Sequence, residues 1–269
     1  MENVLTIAGS DSLAGGGLQA DLKTFQELET FGVSAVTSIA TVLPDDFTVT
    51  PLSPDLIASQ LKSVLTQVPL SAIKTGLLPD LATLRVVVTA LRQQTVPIIV
   101  DPVLVFKEGK TATQAAYIAA LKQELLPLAT VVTPNLKEAE LLSGLTLTSA
   151  EQLPAAARRI QALGCPNVVI KGGSRLAGDT AVDYLFTPQG ETWFRALKVA
   201  SPATDGAGCT FSAAITAWLA RGVPVTAAVD RAKAFVRAGI VYGVQFNDQF
   251  GSVWQGAWRR YGGNQRAKS

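Results

Sequence analysis

Short β-branched runs alternate with longer segments of helical period along the first two thirds of the chain. The runs 4–9, 34–42, 72–76, 97–102, 130–135 and 167–173 are almost continuously apolar, the pattern of strands buried on both faces. Between them, 19–30, 54–68, 80–94, 113–125, 136–143 and 150–163 carry helical periodicity. The repeated strand-helix order predicts a mostly parallel central sheet covered by helices on both sides, a three-layer α/β/α sandwich. After Gly173 the pieces shorten. Segments 181–186 and 191–200 around Pro188, Gln189 and Gly190 read as an antiparallel hairpin at the sheet's edge. Two Ala-rich helices, 210–220 and 225–241, follow, punctuated by Gly222 and Pro224. No internal repeat or linker divides the chain, so one domain is expected over 1–261, with 262–269 as a frayed tail.

Composition narrows the function classes. Hydrophobic residues make up 48% of the 269 positions and charged residues 16%, ample for a large core. The net charge of +2 is spread without a basic stripe, which argues against nucleic acid as a partner. The start, Met1-Glu2-Asn3, lacks the charged and long apolar regions of a signal peptide. Apolar stretches such as 96–105 are interrupted too early to span a bilayer. Cys165 and Cys209 have no paired spacing, so neither a disulfide framework nor a zinc site is indicated, and a reducing cytoplasm is expected. The chain has no histidine. That removes Ser-His and Cys-His catalysis and every His-ligated metal.

In a parallel α/β sheet, ligands bind beyond the carboxyl ends of the strands. Those positions hold Gly9-Ser10-Asp11-Ser12 and Gly15-Gly16-Gly17, then Thr75-Gly76, Asp101-Pro102, Thr133-Pro134-Asn135 and Lys171-Gly172-Gly173. The most specific element is Asp205-Gly206-Ala207-Gly208-Cys209-Thr210 opening a helix. Glycines there let backbone amides converge on an anion where the helix dipole favours one, although two glycines can also merely make a tight turn. Cys209, at that helix start, is expected to have a lowered pKa, the alternative being an inert buried thiol; Cys165 is assigned to the inert class. Asn135 and Glu138 lie three apart at a helix start. They suit either a Mg²⁺ and phosphate site or a capping box. Lys171 can reach a phosphate as a point charge or stay solvated. The Walker pattern is absent. Gly15-Gly16-Gly17-Leu18-Gln19-Ala20, with Asp45 or Asp46 further on, weakly matches a dinucleotide fingerprint and keeps a Rossmann-type NAD(P) oxidoreductase as a remote rival.

The segments TIAGSDS, GGGLQADLKTF, IVDPVLV, LLPLATVVTPNLKEAELLSG, VVIKGG and DGAGCTFSAAITA resemble the hydroxymethylpyrimidine and pyridoxal kinases of the ribokinase superfamily, from Val4 to about Val241. The resemblance implies a ribokinase-like fold, ATP as phosphate donor, Mg²⁺, a small vitamer substrate and a homodimer. By position it assigns Gly206, Ala207, Gly208 and Cys209 to the anion hole, with Cys209 activating the substrate hydroxyl as a thiolate. Asn135, Glu138, Lys171, Gly172, Asp101 and Thr204 fall on the nucleotide side, with Glu138 and Asp101 near the metal. Ser10, Asp21, Val42, Thr75, Gly76, Leu77 and Val103 fall where the ring is held, and 106–113 where a flap closes and excludes water.

Three departures from the family pattern bear on substrate and mechanism. Val42 stands where pyrimidine kinases carry a glutamine that hydrogen-bonds the ring, which favours pyridoxal, with pyridoxine and pyridoxamine, over hydroxymethylpyrimidine. Phe106 occupies the place of a flap cysteine that traps the aldehyde in some relatives. Asp205 and Ser174 replace the usual histidines. The expected activity is ATP-dependent phosphorylation of pyridoxal in vitamin B6 salvage, the alternative being the hydroxymethylpyrimidine kinase step of thiamine biosynthesis.

Overall fold

The computed structural model describes residues 1–43, 46–104 and 111–262. Its elements run β1 (Asn3–Asp11), α1 (Gly17–Glu27), β2 (Phe31–Leu43), β3 (Asp46–Pro51), α2 (Pro54–Gln67), β4 (Ala72–Thr75), α3 (Leu81–Leu91), β5 (Ile98–Val100) and α4 (Thr111–Ala120). They continue with β6 (Val131–Val132), α5 (Leu136–Ser143), α6 (Leu153–Gln161), β7 (Asn167–Gly173), β8 (Thr180–Thr187), β9 (Gly190–Leu197) and β10 (Ala203–Asp205). Last come α7 (Ala207–Ala220), α8 (Val225–Val241), β11 (Val244–Gln245), β12 (Gly251–Ser252) and α9 (Ala257–Tyr261).

Nine strands form one sheet in the order β3-β2-β1-β4-β5-β6-β7-β8-β9. The six from β2 to β7 are parallel, and β8 and β9 make the expected antiparallel hairpin at one edge. Alternation along the strands explains the layers. Leu5, Ile7, Ile73, Val100, Val132, Val168 and Ile170 face a cluster completed by α2 to α6. Their neighbours Val4, Ala72, Ile99, Val131 and Val169 face a second cluster completed by α1, α7 and α8. Both faces are buried, so neither strand face needs polar residues and the runs read as continuously apolar.

Two features differ from the sequence expectation. Strand β3 pairs antiparallel with β2 on the other edge of the sheet, Val42 opposite Phe47, so Asp46 belongs to that strand; Asp45 lies outside the described residues. A separate three-stranded sheet in the order β10-β12-β11 brings the segment after α8 back over the start of α7. Strands of two or three residues carry no period of their own and form only because tertiary pairing supplies their bonds. The expected flap over 106–113 falls outside the described residues as far as 110. Among the described residues, no helix is long and apolar enough to cross a membrane.

Candidate active site

The carboxyl ends of β1, β4, β5, β6 and β7 converge with the N-terminus of α7 on one side of the sheet. Gly206 is the N-cap of α7 with φ +75°, in the left-handed region, and has no side chain to accept from the amides of the first turn. The amides of Ala207, Gly208 and Cys209 lie in the first helical turn, where no intrahelical acceptor is available. Their start is set by close backbone approach. A Cβ on Gly206 would lie 1.7 Å from the Gly15 carbonyl oxygen, and one on Gly17 would lie 2.2 Å from that of Gly9. Asp11 holds the opposing loop, accepting from Gly16 N at 2.8 Å and Gly15 N at 3.1 Å. The three glycines therefore pack against the start of α7 and open α1, which leaves the dinucleotide fingerprint without a role.

A cavity of about 470 Å³ lies in front of these amides, lined by Asp101, Val103, Asn135, Glu138, Lys171, Thr204 and residues 206–209. Asp101 is 2% exposed. Its Oδ1 accepts from Lys171 Nζ at 2.7 Å and Thr133 Oγ1 at 3.2 Å, and its Oδ2 from Ser212 Oγ at 3.0 Å. Burial opposes the charge on Lys171, but the carboxylates of Asp101 and Glu138 offset it and hold the ammonium's pKa above its usual value. Lys171 is thus an ion-paired group at the cavity wall and not a solvated strand end.

Asn135 and Glu138 do form the capping box of α5: Asn135 Oδ1 accepts from Glu138 N at 3.1 Å, and Glu138 Oε2 from Asn135 N at 2.7 Å. The same carboxyl lines the cavity. Burial pushes it up to about 7, with Asp101 adding to the shift and Lys171 opposing it. A buried carboxyl raised in this way at the cavity wall suits a divalent cation, whose charge would relieve the desolvation cost. Glu138 fits Mg²⁺ on this ground. Asp101 has each oxygen engaged by protein donors, so it fits the surroundings of an ion better than direct coordination.

Cys209 departs from the sequence expectation. Burial pushes the thiol up to about 11, helped by Asp101 and Asp21, and outweighs the charge of Lys74 and a hydrogen bond from Gly17 N, which favour the thiolate. The thiol of the free protein is therefore protonated at neutral pH. Desolvation depends on everything packed around the sulfur, which a helix position alone does not reveal. Cys165 matches its assignment as an inert thiol, fully buried and pushed up to about 12.

The residues expected around the ring divide into half-buried and buried groups. Ser10 Oγ accepts from Gln19 Nε2 at 2.8 Å, and Leu77 O from Thr37 Oγ1 at 2.7 Å. Thr75 and Gly76 are buried, and Val42 is half-buried on the β2–β3 arm. Asp21, also expected at the ring, has no exposed surface. It pairs with Lys74 at 2.9 Å, also fully buried, and accepts from Thr6 Oγ1 at 2.6 Å. Lys74 was not among the sequence candidates. Its signal was a lysine inside the buried run AIKT, a placement that requires a carboxylate partner. Gly16, Pro202, Asp205, Gln249 and Phe250 also line the cavity beyond those candidates. Gln249 and Phe250 precede β12, an element too short to read from sequence.

Glu138 binds its proton more tightly folded than unfolded, so its contribution to stability is greatest below the ordinary value of 4.5 and is lost as pH rises toward about 7. Glu138→Gln keeps the capping geometry without the titration. Denaturant midpoints at about pH 5 and about pH 8 should show the variant gaining on the unmodified protein at the higher pH. An equal difference at both would mean that Glu138 titrates normally.

Residues 11–254 match the model of the phosphomethylpyrimidine kinase family. Over 264 residues the chain is 39% identical to a pyridoxine kinase of Bacillus subtilis (strain 168), covering 96% of this chain and 97% of the relative. The pyridoxal kinase of Staphylococcus aureus in complex with AMP-PCP and pyridoxal is 42% identical and superposes with a TM-score of 0.90, covering 97% of this chain and 95% of that one. A phosphomethylpyrimidine kinase from Clostridium difficile 630 is 33% identical with a TM-score of 0.75, covering 88% and 98%. Similarity that runs nearly end to end shows the family: the chain belongs to the phosphomethylpyrimidine kinase family, whose members here are phosphotransferases acting on an alcohol group.

Proposed function

We propose that the protein transfers the γ-phosphate of ATP to the hydroxymethyl group of pyridoxal, with pyridoxine and pyridoxamine as further substrates, in vitamin B6 salvage. The observation that carries the reading is the first turn of α7, where three amides face a cavity beside Lys171, Asp101 and Glu138. Similarity supports pyridoxal, since the chain covers nearly the whole of a pyridoxal-bound relative and superposes on it more closely than on the phosphomethylpyrimidine kinase. Val42 presents no hydrogen bond toward a pyrimidine, which leaves a polar ring edge unpaired at about 1 to 3 kcal/mol. Phosphorylation of hydroxymethylpyrimidine is the second reading, favoured by the family match.

In this mechanism, binding and electrostatics do most of the catalytic work. The amides of Ala207, Gly208 and Cys209 take the equatorial oxygens of the transferring phosphoryl group, and Lys171, held by Asp101, compensates the charge of the nucleotide's phosphates, those that remain in ADP included. Asn135 and Thr204 form the nucleotide wall, with Gly172 buried behind it. Mg²⁺ near Glu138 would neutralise part of the phosphate charge when bound. Ser10, Leu77 and Val103, all partly exposed, border the ring, with Thr75 and Gly76 buried behind them. The Asp21–Lys74 pair sits behind them, its ammonium close enough to Cys209 to favour the thiolate. Cys209 sulfur orients the hydroxyl, and its ionised fraction accepts the proton late in transfer.

A coupled assay with ATP should give pyridoxal a higher kcat/KM than hydroxymethylpyrimidine; the reverse order would replace the first reading by the second. Because the thiol lies near 11, the rate should climb from neutral pH toward that value. Cys209→Ala should lower kcat by roughly 10²- to 10⁴-fold and remove the climb. An unchanged profile would make Cys209 structural.

A further inference from the structure

The edge hairpin contains a buried ion pair outside the cavity. Lys233 Nζ of α8 lies 2.6 Å from Asp183 Oδ2 of β8, with side-chain exposures of 13% and 9%. The other carboxylate oxygen, Asp183 Oδ1, accepts from Gly173 N at 3.2 Å, and Lys233 Nζ also donates to Ala181 O at 3.3 Å. These bonds meet where the register of β7 against β8 slips between Lys171 and Gly173. Gly172 stands in the slip, where a Cβ would lie 2.4 Å from Val182 O, and Gly173 has φ +51°. One residue earlier, Lys171 reaches Asp101, and a Cβ on Gly208 would lie 3.4 Å from its Nζ.

A buried ion pair stabilises little more than apolar residues of the same size would. What an apolar pair lacks is a directional bond to the Gly173 amide. A β-bulge re-aims the side chains around it, and the side chain aimed here is the cavity's ammonium. We propose that the Asp183–Lys233 pair is a positioning device for the nucleotide, fixing the bulge at Gly172 and through it the placement of Lys171 between Asp101 and the α7 amides. The pair touches neither substrate, so its effect falls on the nucleotide side of the cavity and spares the ring side. This inference rests on the kinase reading.

The test uses the full-length protein, titrated with ADP by calorimetry and assayed with ATP and pyridoxal. Asp183→Asn and Lys233→Met should each weaken ADP binding by roughly 5- to 50-fold and raise the KM for ATP accordingly. The KM for pyridoxal should stay put, and Lys233→Arg should recover most of the loss. Unchanged ADP binding in Asp183→Asn, with only the melting temperature lowered, would overturn the positioning role, as would equal losses for both substrates. If Asp183→Asn does not fold, the contrast between Lys233→Met and Lys233→Arg decides by the same readout. Unmodified protein that fails to bind ADP overturns the kinase reading and this proposal together, whereas normal binding by both it and Asp183→Asn overturns the positioning role alone.

Discussion

The carboxylate of Asp101 is the joint of the site. It follows β5, takes Lys171 from β7 and Thr133 from the end of β6 on one oxygen, and takes Ser212 from α7 on the other. Four segments from distant parts of the chain therefore share one buried charge. Desolvating such a group is costly unless every lone pair is used, and here the donors that satisfy it are the residues whose relative placement builds the cavity. Ser212 lies one turn beyond Cys209, so the same bond fixes the azimuth of α7 and the direction of its leading amides.

Around this joint, glycine does what side chains cannot. The loop 15–17 and the turn at Gly206 approach until only backbone fits between them, which leaves the first amides of α7 uncapped and oriented before any ligand arrives. Charges on either side are paired, Lys171 with Asp101 and Lys74 with Asp21. Glu138 and Cys209 bear the cost of that burial, and both hold their protons above their ordinary pKa. On the proposed function, donors with so few competing acceptors are what a polyphosphate would meet there.

Much of this was legible in the sequence, for reasons that particular residues make plain. Both faces of the strands are covered, so the apolar runs marked them without alternation. Helices α5 and α8 matched because their boundaries are local: Asn135 with Glu138 caps one, and Pro224 precedes the other. Strand β3 and the small sheet of β10, β11 and β12 were missed because their stability comes from partners far along the chain. The strand-end motifs pointed to the cavity, since parallel topology fixes where such residues gather. Protonation states were not legible. The dipole acting on Cys209 is a local property, whereas its desolvation belongs to the whole fold, and Lys74 acquired meaning only when Asp21 was seen beside it.

The central claim is that the charge of Asp101 organises the anion hole. Asp101→Asn keeps the shape and removes that charge, leaving Lys171 without its partner. Single-turnover transfer from ATP to pyridoxal, followed at a temperature where the variant is folded, tests it most directly. The account predicts a loss of roughly 10²- to 10³-fold in the transfer rate with pyridoxal binding retained. A rate within about twofold of the unmodified protein would contradict it, because an uncharged joint would then hold Lys171 and α7 equally well.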